Sequence, residues 1–576
     1  MGTICAERKG DKVYYVYRES YREKIDPRGM GKLRGSGKSR VRTRAVYLGS
    51  AEKILGVFRE KREPVSVRLR RFGLVAAAYQ TSTEIGLQDI LMKHMPGSRA
   101  NIPHWVYFFT CIINRLDNAT SKNKMSAWLK KTILPELLGI DPAGLSGKNY
   151  WYAADYQLSE SELREKRESA PPSDDPFAGV DVDTFTMIEK DLFYNVDELM
   201  GLSPSVICYD TTNFYTYIDE PVRSELANTC YSKDSKDHLK HVGLLMAVER
   251  NHGVPLLSQV YRANCHDTKV FSCILADLLL ALKDLCGEES DLVLVLDKGN
   301  NSEDNFKSMT GVISWIGSLV PSHHKDLIDL DISAYHGVHK ELRYYRCTKT
   351  LMGVDCAVVL VFNAATKRKQ EHTLRRGIEK LKKQMSIKWA GYKKAQTSVP
   401  RGLITMQDNS RYGKCVIPSV REGRLHIEDN DDEIRERKKR FGKSLIFSNM
   451  VDAETGFLID TYHQRWVIED DFRVLKDETI IRFRPIRHWT DTKIRAYAFC
   501  CVIALTLMRV MQWKAQHAGY TMSPQLLKDE LSDIQEVLMV YDPTEATRKI
   551  TDCSTVQMKL WEEFKLDDVK RKLLLH

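Results

Sequence analysis

The run LVLVL at 292–296, which ends at Asp297, constrains the fold more than any other feature of the sequence. Five consecutive apolar residues followed by Asp-Lys-Gly are typical of a strand that is buried on both faces and stops at a turn. A second strand is predicted over 206–215, where VICYDTTNFY carries Asp210. The chain between these strands predicts a hairpin, formed by HVGLLMAVER and VPLLSQVYRAN, and then a helix over about 267–286.

This order of elements favours one placement of the two aspartates. A right-handed crossover allows the strand at 292–296 to lie parallel to the strand at 206–215 and beside it. Asp210 and Asp297 then come close together, although other topologies are compatible with the same elements. With VISWIGSLV at 312–320 as a fifth strand, the elements predict an α/β fold with a mixed sheet and flanking helices.

Composition limits the classes of protein to which the chain can belong. The chain has 576 residues, of which 43% are hydrophobic, so we expect it to form several globular units. The thirteen cysteines form no Cys-x-x-Cys pair, which favours a reducing compartment over a disulfide framework or a zinc site. The longest apolar run, AFCCVIALTLM at 498–508, is too short to span a bilayer. We therefore expect a cytoplasmic protein without a membrane partner.

The stretch YHQRWVIEDDFRVLK at 462–476 predicts one helix with an unusual polar face. At about 100° per residue, Tyr462, Arg465, Glu469 and Lys476 fall within an arc of roughly 60°. An apolar group occupies the opposite side of the helix: Val467, Ile468, Val474 and Leu475. The alternative is a salt-bridged surface helix in which Glu469 pairs with an arginine of its own helix.

Asp210, Asp297 and Glu469 together predict a metal site with only oxygen ligands. Crowded carboxylates repel one another unless a hard cation such as Mg²⁺ or Mn²⁺ neutralises them. Two such ions, about 3.5 to 4 Å apart, suit the in-line displacement of a phosphodiester. For each aspartate alone, however, a role as a turn or helix cap is the commoner explanation.

Basic residues in two parts of the chain are candidate DNA ligands. Arg465, Arg473, Lys476 and the hydroxyl of Tyr462 are suited to bind phosphate beside the acids. The second part is a glycine-containing basic run at 22–44, which includes Arg34, Arg40 and Arg42. A flexible arm on the DNA backbone is favoured over a solvated loop for this run.

These residues resemble the DDE transposases of the insertion sequence 4 class. The last catalytic glutamate of that class lies in a Tyr-x2-Arg-x3-Glu-x6-Lys signature, and the spacing of Tyr462, Arg465, Glu469 and Lys476 matches it without a gap. Asp210 and Asp297 are similar to its first two acids. RFRPIRHWTDTKIRAYAF, which follows the signature, resembles an elongated subgroup, and the likeness extends over about 185–515.

The resemblance implies an RNase H-like fold, interrupted by an insertion domain, with an N-terminal α+β region that binds DNA. The expected units are an N-terminal DNA-binding region and linker, the first part of the catalytic core, an insertion domain, the second part of the core with the glutamate helix, and a C-terminal helical region. In that order they span 1–182, 183–320, 321–440, 441–515 and 516–576.

The expected function is cleavage of transposon ends and their joining to target DNA, with two Mg²⁺ or Mn²⁺ ions held by Asp210, Asp297 and Glu469. The partners would be the terminal inverted repeats and target DNA, bound by a homodimer. Two alternatives stay open: a nuclease of the same fold without strand transfer, and a non-catalytic DNA-binding protein derived from a transposase.

Overall fold

The computed structural model describes residues 2–9, 12–24, 39–50, 54, 64–95, 102–155, 183–202, 205–218, 224–230, 232, 236–265, 269–271, 292–392, 396–542 and 545–574. The predicted linker at 166–182 lies outside these ranges. Of the helix predicted over 267–286, residues 269–271 are described, and they are helical.

The described strands are β1 (Gly2–Lys9), β2 (Lys12–Lys24), β3 (Ser39–Ser50), β4 (Ser66–Arg71), β5 (Val206–Tyr215), β6 (Asn228–Thr229), β7 (Lys240–Glu249), β8 (Pro255–Arg262), β9 (Val293–Val295), β10 (Ser314–Leu319), β11 (Gly337–His339), β12 (Leu342–Leu351), β13 (Val354–Phe362), β14 (Val416–Arg421), β15 (Arg424–Asp429), β16 (Lys443–Ser448), β17 (Gln535–Asp542) and β18 (Glu545–Ile550).

The α-helices of the same ranges are α1 (Gly73–Glu84), α2 (Leu87–His94), α3 (His104–Asn118), α4 (Met125–Leu129), α5 (Leu134–Leu138), α6 (Gly147–Ala154), α7 (Thr184–Met200), α8 (Glu303–Met309), α9 (Lys325–Ile328), α10 (Ala364–Ala390), α11 (Arg401–Asp408), α12 (Asp431–Lys439), α13 (Thr455–His463), α14 (Trp466–Lys476), α15 (Asp491–His517), α16 (Pro524–Ser532), α17 (Thr555–Glu563) and α18 (Leu566–Leu574).

A mixed sheet forms the centre of the protein. Within the described residues it has ten strands in the order β11-β12-β13-β16-β10-β9-β5-β7-β6, and β8 also pairs with β7. The short strand β9 is fully buried and runs parallel to both β5 and β10. Cys208 of β5 lies opposite Val295 of β9. The predicted parallel and adjacent placement of the two aspartate-bearing segments is therefore confirmed.

The predicted hairpin is also confirmed, and its turn packs on the helix that carries Glu469. Strands β7 and β8 are antiparallel, and Gly253 in the turn has a φ of +68°. A Cβ atom at Gly253 would lie 3.0 Å from both Asp471 Oδ2 and Val467 Cγ1 of α14. Glycine is required here because any larger residue would be strained in its backbone and would crowd α14.

The long helix α15 joins the sheet to the N-terminal helices. It packs against α1, α3 and β8, and most of its residues are buried. By length and hydropathy alone α15 could cross a membrane, but 94% of its most apolar stretch is buried inside the protein. The helix is thus mostly apolar because other elements of the chain surround it, and its buried cations, such as Arg509, pair with acids of those elements.

The insertion is shorter than the predicted 321–440, because β11, β12 and β13 belong to the central sheet. A separate hydrophobic core begins only with α10. Its buried residues are Leu374, Ile378, Leu381, Met385, Leu403, Cys415 and Val416. The independent unit therefore consists of α10, α11, the β14–β15 hairpin and α12.

The C-terminal region is not purely helical as predicted, since β17 and β18 form a three-stranded sheet with β4. Glu536 of β17 is only 2% exposed, and Arg70 of β4 reaches its carboxylate at 3.2 Å. Arg548 of β18 lies 3.6 Å from the same carboxylate. A strand with a buried acid is stable here because a strand far away in sequence supplies the cation. The predicted regions 1–182 and 516–576 thus share one sheet.

Candidate active site

Asp210 and Asp297 lie on neighbouring parallel segments of the central sheet. Asp210 is in the middle of β5, and Asp297 follows the end of β9 by two residues. The backbone N–H of Thr211 donates to Oδ1 of Asp210 at 2.8 Å. Asp297 precedes a single 3₁₀ turn, yet its side chain makes no capping hydrogen bond. The carboxylate of Asp297 therefore does not have the capping role that is the commoner explanation for such an aspartate.

The stretch 462–476 is not one helix as predicted, because α13 ends at His463 and α14 begins at Trp466. Between the two helices the backbone forms a 3₁₀-type turn, in which the N–H of Arg465 donates to the carbonyl oxygen of Tyr462 at 3.2 Å. The polar and apolar sides are nevertheless separated as expected, and Val467, Ile468, Val474 and Leu475 are all buried.

Arg465 brings the three predicted acids together. Its Nη1 donates to Oδ2 of Asp210 at 3.0 Å, and its Nη2 donates to Oε1 of Glu469 at 2.6 Å. Nη2 also lies 3.7 Å from Oδ1 of Asp297. One guanidinium therefore contacts a carboxylate from β5, one from the end of β9 and one from α14.

The acid site is half-buried on the sheet side and open on the helix side. The side chains of Arg465 and Asp210 are 14% and 15% exposed, whereas that of Glu469 is 58% exposed. Burial alone would lower the pKa of the Arg465 guanidinium, but the neighbouring carboxylates, Asp210 foremost, outweigh burial and raise it. Arg465 is therefore a permanent cation, and the site can be approached from the side of Glu469.

Lys476 and Tyr462 lie at two sides of the acids. The ammonium of Lys476 donates to Oγ1 of Thr212 at 2.7 Å and lies 5.4 Å from the centre of the Phe214 ring. The Tyr462 hydroxyl lies beside Ser318 and Arg465, and burial raises its pKa. The ammonium and the hydroxyl each present a hydrogen-bond donor beside the carboxylates.

A buried ion pair fixes the position of α14. Arg509 of α15 donates from Nε to Oδ1 of Asp471 at 2.7 Å, and Asp471 is fully buried. The same arginine donates from Nη2 to Oδ2 of Asp470 at 2.8 Å. Burial raises the pKa of Asp471 to about 7, although Arg509 works against this shift.

Arg473, predicted as a phosphate ligand, turns away from the three acids. Its Nε donates to Oδ1 of Asp470 at 3.0 Å, and its side chain is 61% exposed. The basic run lies elsewhere: Arg34 is outside the described residues, whereas Arg40 and Arg42 lie on β3. The backbones of Arg40 and Arg42 are opposite Glu23 and Tyr21 of β2, in a sheet separate from the central one. Contact of these arginines with DNA stays a prediction.

Sequence reasoning missed Thr212, Ser318 and Arg509. A signal existed for Thr212, because residues two apart in a strand share a face and Asp210 had been identified in the same strand. Ser318 and Arg509 approach from β10 and α15, far away along the chain. The sequence contains no local pattern that ties them to the site.

The donor set fits a hard divalent cation by its chemistry. Asp210, Asp297 and Glu469 offer only anionic oxygens, the ligands that Mg²⁺ and Mn²⁺ prefer, and they already surround one cationic group. Among the residues that the structure describes, no three acids, histidines or cysteines are close enough to share an ion in the present arrangement. The guanidinium of Arg465 lies between the acids instead.

Two aspartates lie on parallel segments of a mixed sheet, and a helix that carries a glutamate and a lysine faces them. This arrangement defines a class of proteins with an acidic site beside basic side chains. Comparison with known proteins gives the family. Residues 201–507, more than half of the chain, match the model of the transposase DDE domain. The chain belongs to this transposase DDE domain family.

Comparison with curated proteins and with solved structures gives less. No curated protein matches the chain. Among solved structures, the cryo-EM structure of the piggyBac transposase synaptic complex with hairpin DNA is similar at 10% sequence identity and a TM-score of 0.36. The similarity covers 80% of this chain and 76% of the piggyBac chain.

Proposed function

We propose that this DNA transposase cuts transposon ends and joins them to target DNA by metal-dependent phosphoryl transfer. The observation that carries the proposal is the convergence of Asp210, Asp297 and Glu469 on one guanidinium. Mg²⁺ is the proposed cofactor, with Mn²⁺ as a substitute. The proposed partners are the terminal inverted repeats and target DNA, bound by a cytoplasmic homodimer.

We assign the chain to the insertion sequence 4 class, in its elongated subgroup, with an RNase H-like core. Support comes from the signature spacing of Tyr462, Arg465, Glu469 and Lys476 and from the parallel pairing of β5 with β9 and β9 with β10. Strand β16, which is antiparallel to β10, precedes the two signature helices.

In the proposed mechanism, Asp210, Asp297 and Glu469 would hold two divalent ions. Ions bound by such carboxylates activate an attacking oxygen and stabilise the leaving oxygen of a phosphodiester. Lys476 donates to a phosphate oxygen next to the scissile bond, and Thr212 orients the ammonium for this contact. Tyr462 donates from its hydroxyl, which burial keeps protonated. Arg465 exchanges its carboxylate partners for a phosphate, which it can bind with two parallel hydrogen bonds.

Glu469→Ala tests the proposal directly. We expect the variant to bind labelled DNA that carries the candidate element ends but to lose Mg²⁺-dependent cleavage and joining by at least a factor of about 100, because a ligand of the reacting ions is removed. The matched control is Glu478→Ala, an exposed glutamate beyond the C-terminus of α14. Wild-type cleavage by the Glu469 variant would refute the assignment of this residue.

The same assay separates the alternatives. With a target plasmid present, a transposase produces joined products, whereas a nuclease of the same fold cuts without joining. A non-catalytic DNA-binding protein shifts the labelled ends in a gel and leaves them intact at every Mg²⁺ concentration. Joined products from the wild-type chain are the result that we expect.

A further inference from the structure

A basic pocket lies apart from the three acids, between the N-terminal helices and the segment that follows α14. Its volume is about 670 Å³, which is within the range of small-molecule and nucleotide sites. One wall comes from α3, α6 and the 3₁₀ turn at 122–124. The opposite wall comes from residues 482–488 and the start of α15. We call this cavity the Trp151 pocket.

The charge of the Trp151 pocket is of one sign. Four arginines and three lysines line it, and no aspartate or glutamate does so among the described residues. At the rim, Asp155 pairs with Lys493, and the side chain of Asp155 is 42% exposed. Cations therefore dominate the described lining of the pocket, which favours the binding of an anion.

An aromatic surface lies within this cationic lining. The ammonium groups of Lys122 and Lys493 lie 3.6 Å and 4.0 Å from the centre of the Trp151 ring, and the Trp489 ring is 4.5 Å from it. Burial and the nearby charge of Lys493 lower the pKa of Lys122. Two like charges are thus held against one indole, an arrangement that an added anion beside them would stabilise.

A buried polar atom without a partner also lies in this pocket. Nδ1 of His488 is buried and makes no hydrogen bond with any residue that the structure describes. Burial and then the charge of Lys122 lower the pKa of His488 to about 3, so the ring is neutral. A neutral imidazole can donate to or accept from the edge of a base, and it can donate to a phosphate oxygen.

The pocket is connected to the acid site through β5. The N–H of Ile486 donates to the carbonyl oxygen of Tyr215 at 3.2 Å, and the N–H of Tyr217 donates to that of Ile486 at 2.8 Å. Asp210 is five residues before Tyr215 on this strand, a distance of about 17 Å at 3.4 Å per residue. A DNA strand advances about 3.4 Å per nucleotide along a duplex, so the pocket wall is about five nucleotides from the acids. Lys476 lies on the path between them.

We propose that the Trp151 pocket binds an unpaired nucleotide of the DNA substrate. Its base takes the place of the Lys122 ammonium on the Trp151 ring, and Lys122 then pairs with the phosphate. Stacking on an aromatic ring together with backbone contacts from basic side chains is the usual chemistry of single-strand recognition. Arg484 and Arg487, on the opposite wall, bind the neighbouring phosphates. The inference rests on the proposed function only in taking DNA as the ligand.

The test measures binding by the full chain and needs no cleavage. Labelled DNA with a short single-stranded tail is titrated by fluorescence anisotropy, next to a fully paired blunt duplex of the same length. We expect Trp151→Ala to weaken binding of the tailed DNA by about 5-fold or more, since one stacking contact is lost, and to leave the blunt duplex unchanged. Lys122→Ala should reduce the salt dependence by about one released ion.

Matched variants control for folding and for general charge. Tyr152→Ala removes the exposed ring next to Trp151, and Lys148→Ala removes a nearby exposed cation; neither residue lines the pocket. Both should bind like the wild type, and Trp151→Phe, which keeps an aromatic face, should restore most of the affinity. Glu469→Ala should also bind the tailed DNA normally, so a failure of the catalytic assignment leaves this test intact.

Photo-crosslinking gives the position. DNA with 5-iodouracil in the tail, irradiated with the protein and digested for mass spectrometry, should crosslink to Trp151 or to Trp489. Equal loss of tailed and blunt DNA binding in Trp151→Ala would overturn the proposal, as would crosslinks outside the pocket. Competition by inorganic phosphate as effective as that by the oligonucleotide would show a simple anion site and would overturn the nucleotide assignment.

Discussion

Replacing Arg465 with alanine is expected to destabilise the protein without metal and to strengthen its response to Mg²⁺. The guanidinium is the cation that Asp210, Asp297 and Glu469 share. Its removal leaves three carboxylates around one position, with the guanidinium that they shared gone from it. A divalent cation can then occupy the same position without first displacing an arginine.

The structure sets the size of the effect. The hydrogen bond to Asp210 joins two charged groups that are about 15% exposed, and such a bond contributes roughly 1.5–3 kcal/mol. The pair with Glu469 contributes less than about 1 kcal/mol, because that carboxylate is 58% exposed. The contact with Asp297 at 3.7 Å is longer and weaker. We therefore expect a loss of about 2–4 kcal/mol, somewhat below the roughly 3–5 kcal/mol that breaking a fully buried pair costs.

Part of the free energy of unfolding that is lost with Arg465 should be recovered as a higher affinity for the metal ion. If the loss of Arg465 as a competitor for the carboxylates favours the ion by about 1.4–2.8 kcal/mol, Mg²⁺ binds about 10- to 100-fold more tightly. At a fixed Mg²⁺ concentration, the stabilisation grows with the logarithm of the ratio of free ion to dissociation constant. The variant should thus be less stable than the wild type in EDTA and approach it as Mg²⁺ is added.

Thermal unfolding in EDTA and over a series of Mg²⁺ concentrations measures both effects. The matched control is Arg473→Ala, on the same helix, because Arg473 pairs with Asp470 and not with the three acids, and Arg509 still holds Asp470. The control should show the Mg²⁺ response of the wild type. The reasoning is refuted if the Arg465 variant is as stable as the wild type in EDTA and responds to Mg²⁺ no more strongly.

Two further predictions concern Lys476 and Glu189. Lys476→Ala should weaken DNA binding to a similar degree for all sequences and reduce the salt slope by about one ion, since a phosphate contact carries no base information; sequence-dependent loss in a binding series would contradict this. Burial raises the pKa of Glu189 to about 8, although Ser258 donates two hydrogen bonds that lower it. The unfolded chain, with a glutamate pKa near 4.3, binds fewer protons between about pH 5 and 8, so stability should fall over this range by up to about 3 kcal/mol. Denaturant unfolding at pH 5, 6.5 and 8 should show this slope in the wild type and a flatter one in Glu189→Gln; equal slopes would refute it.

The neighbourhood of the two aspartates could be predicted because it depends on local patterns and on one topological rule. An apolar run such as 292–296 is expected in the middle of a sheet, where both of its faces are buried. The handedness of crossovers then places it beside β5. The hairpin of β7 and β8 was readable for the same reason, since its strands are adjacent in sequence.

What could not be predicted depends on partners that are distant in sequence. Strand β17 contains the buried Glu536, which is tolerated only because Arg70 and Arg548 reach it from β4 and β18. The 3₁₀-type turn at Arg465 likewise could not be predicted from the helical spacing of the polar and apolar residues. It moves Tyr462 onto α13, where Ser318 of β10 contacts it.

The three consecutive acids of α14 show why the role of a charge cannot be read from the sequence alone. Asp471 is fully buried against Arg509, and Asp470 is shared by Arg509 and Arg473, so both pairs fix the helix in place. Among the three, Glu469 pairs with Arg465, which also contacts Asp210 and Asp297, and it is the more exposed member of that pair. Exchanging a buried partner costs several kcal/mol, whereas an exposed carboxylate changes partners for about 1 kcal/mol or less. The fold therefore decides the roles of these acids through burial. The exposed Glu469 can exchange a guanidinium for another cation, whereas the more buried Asp470 and Asp471 hold the helix in position.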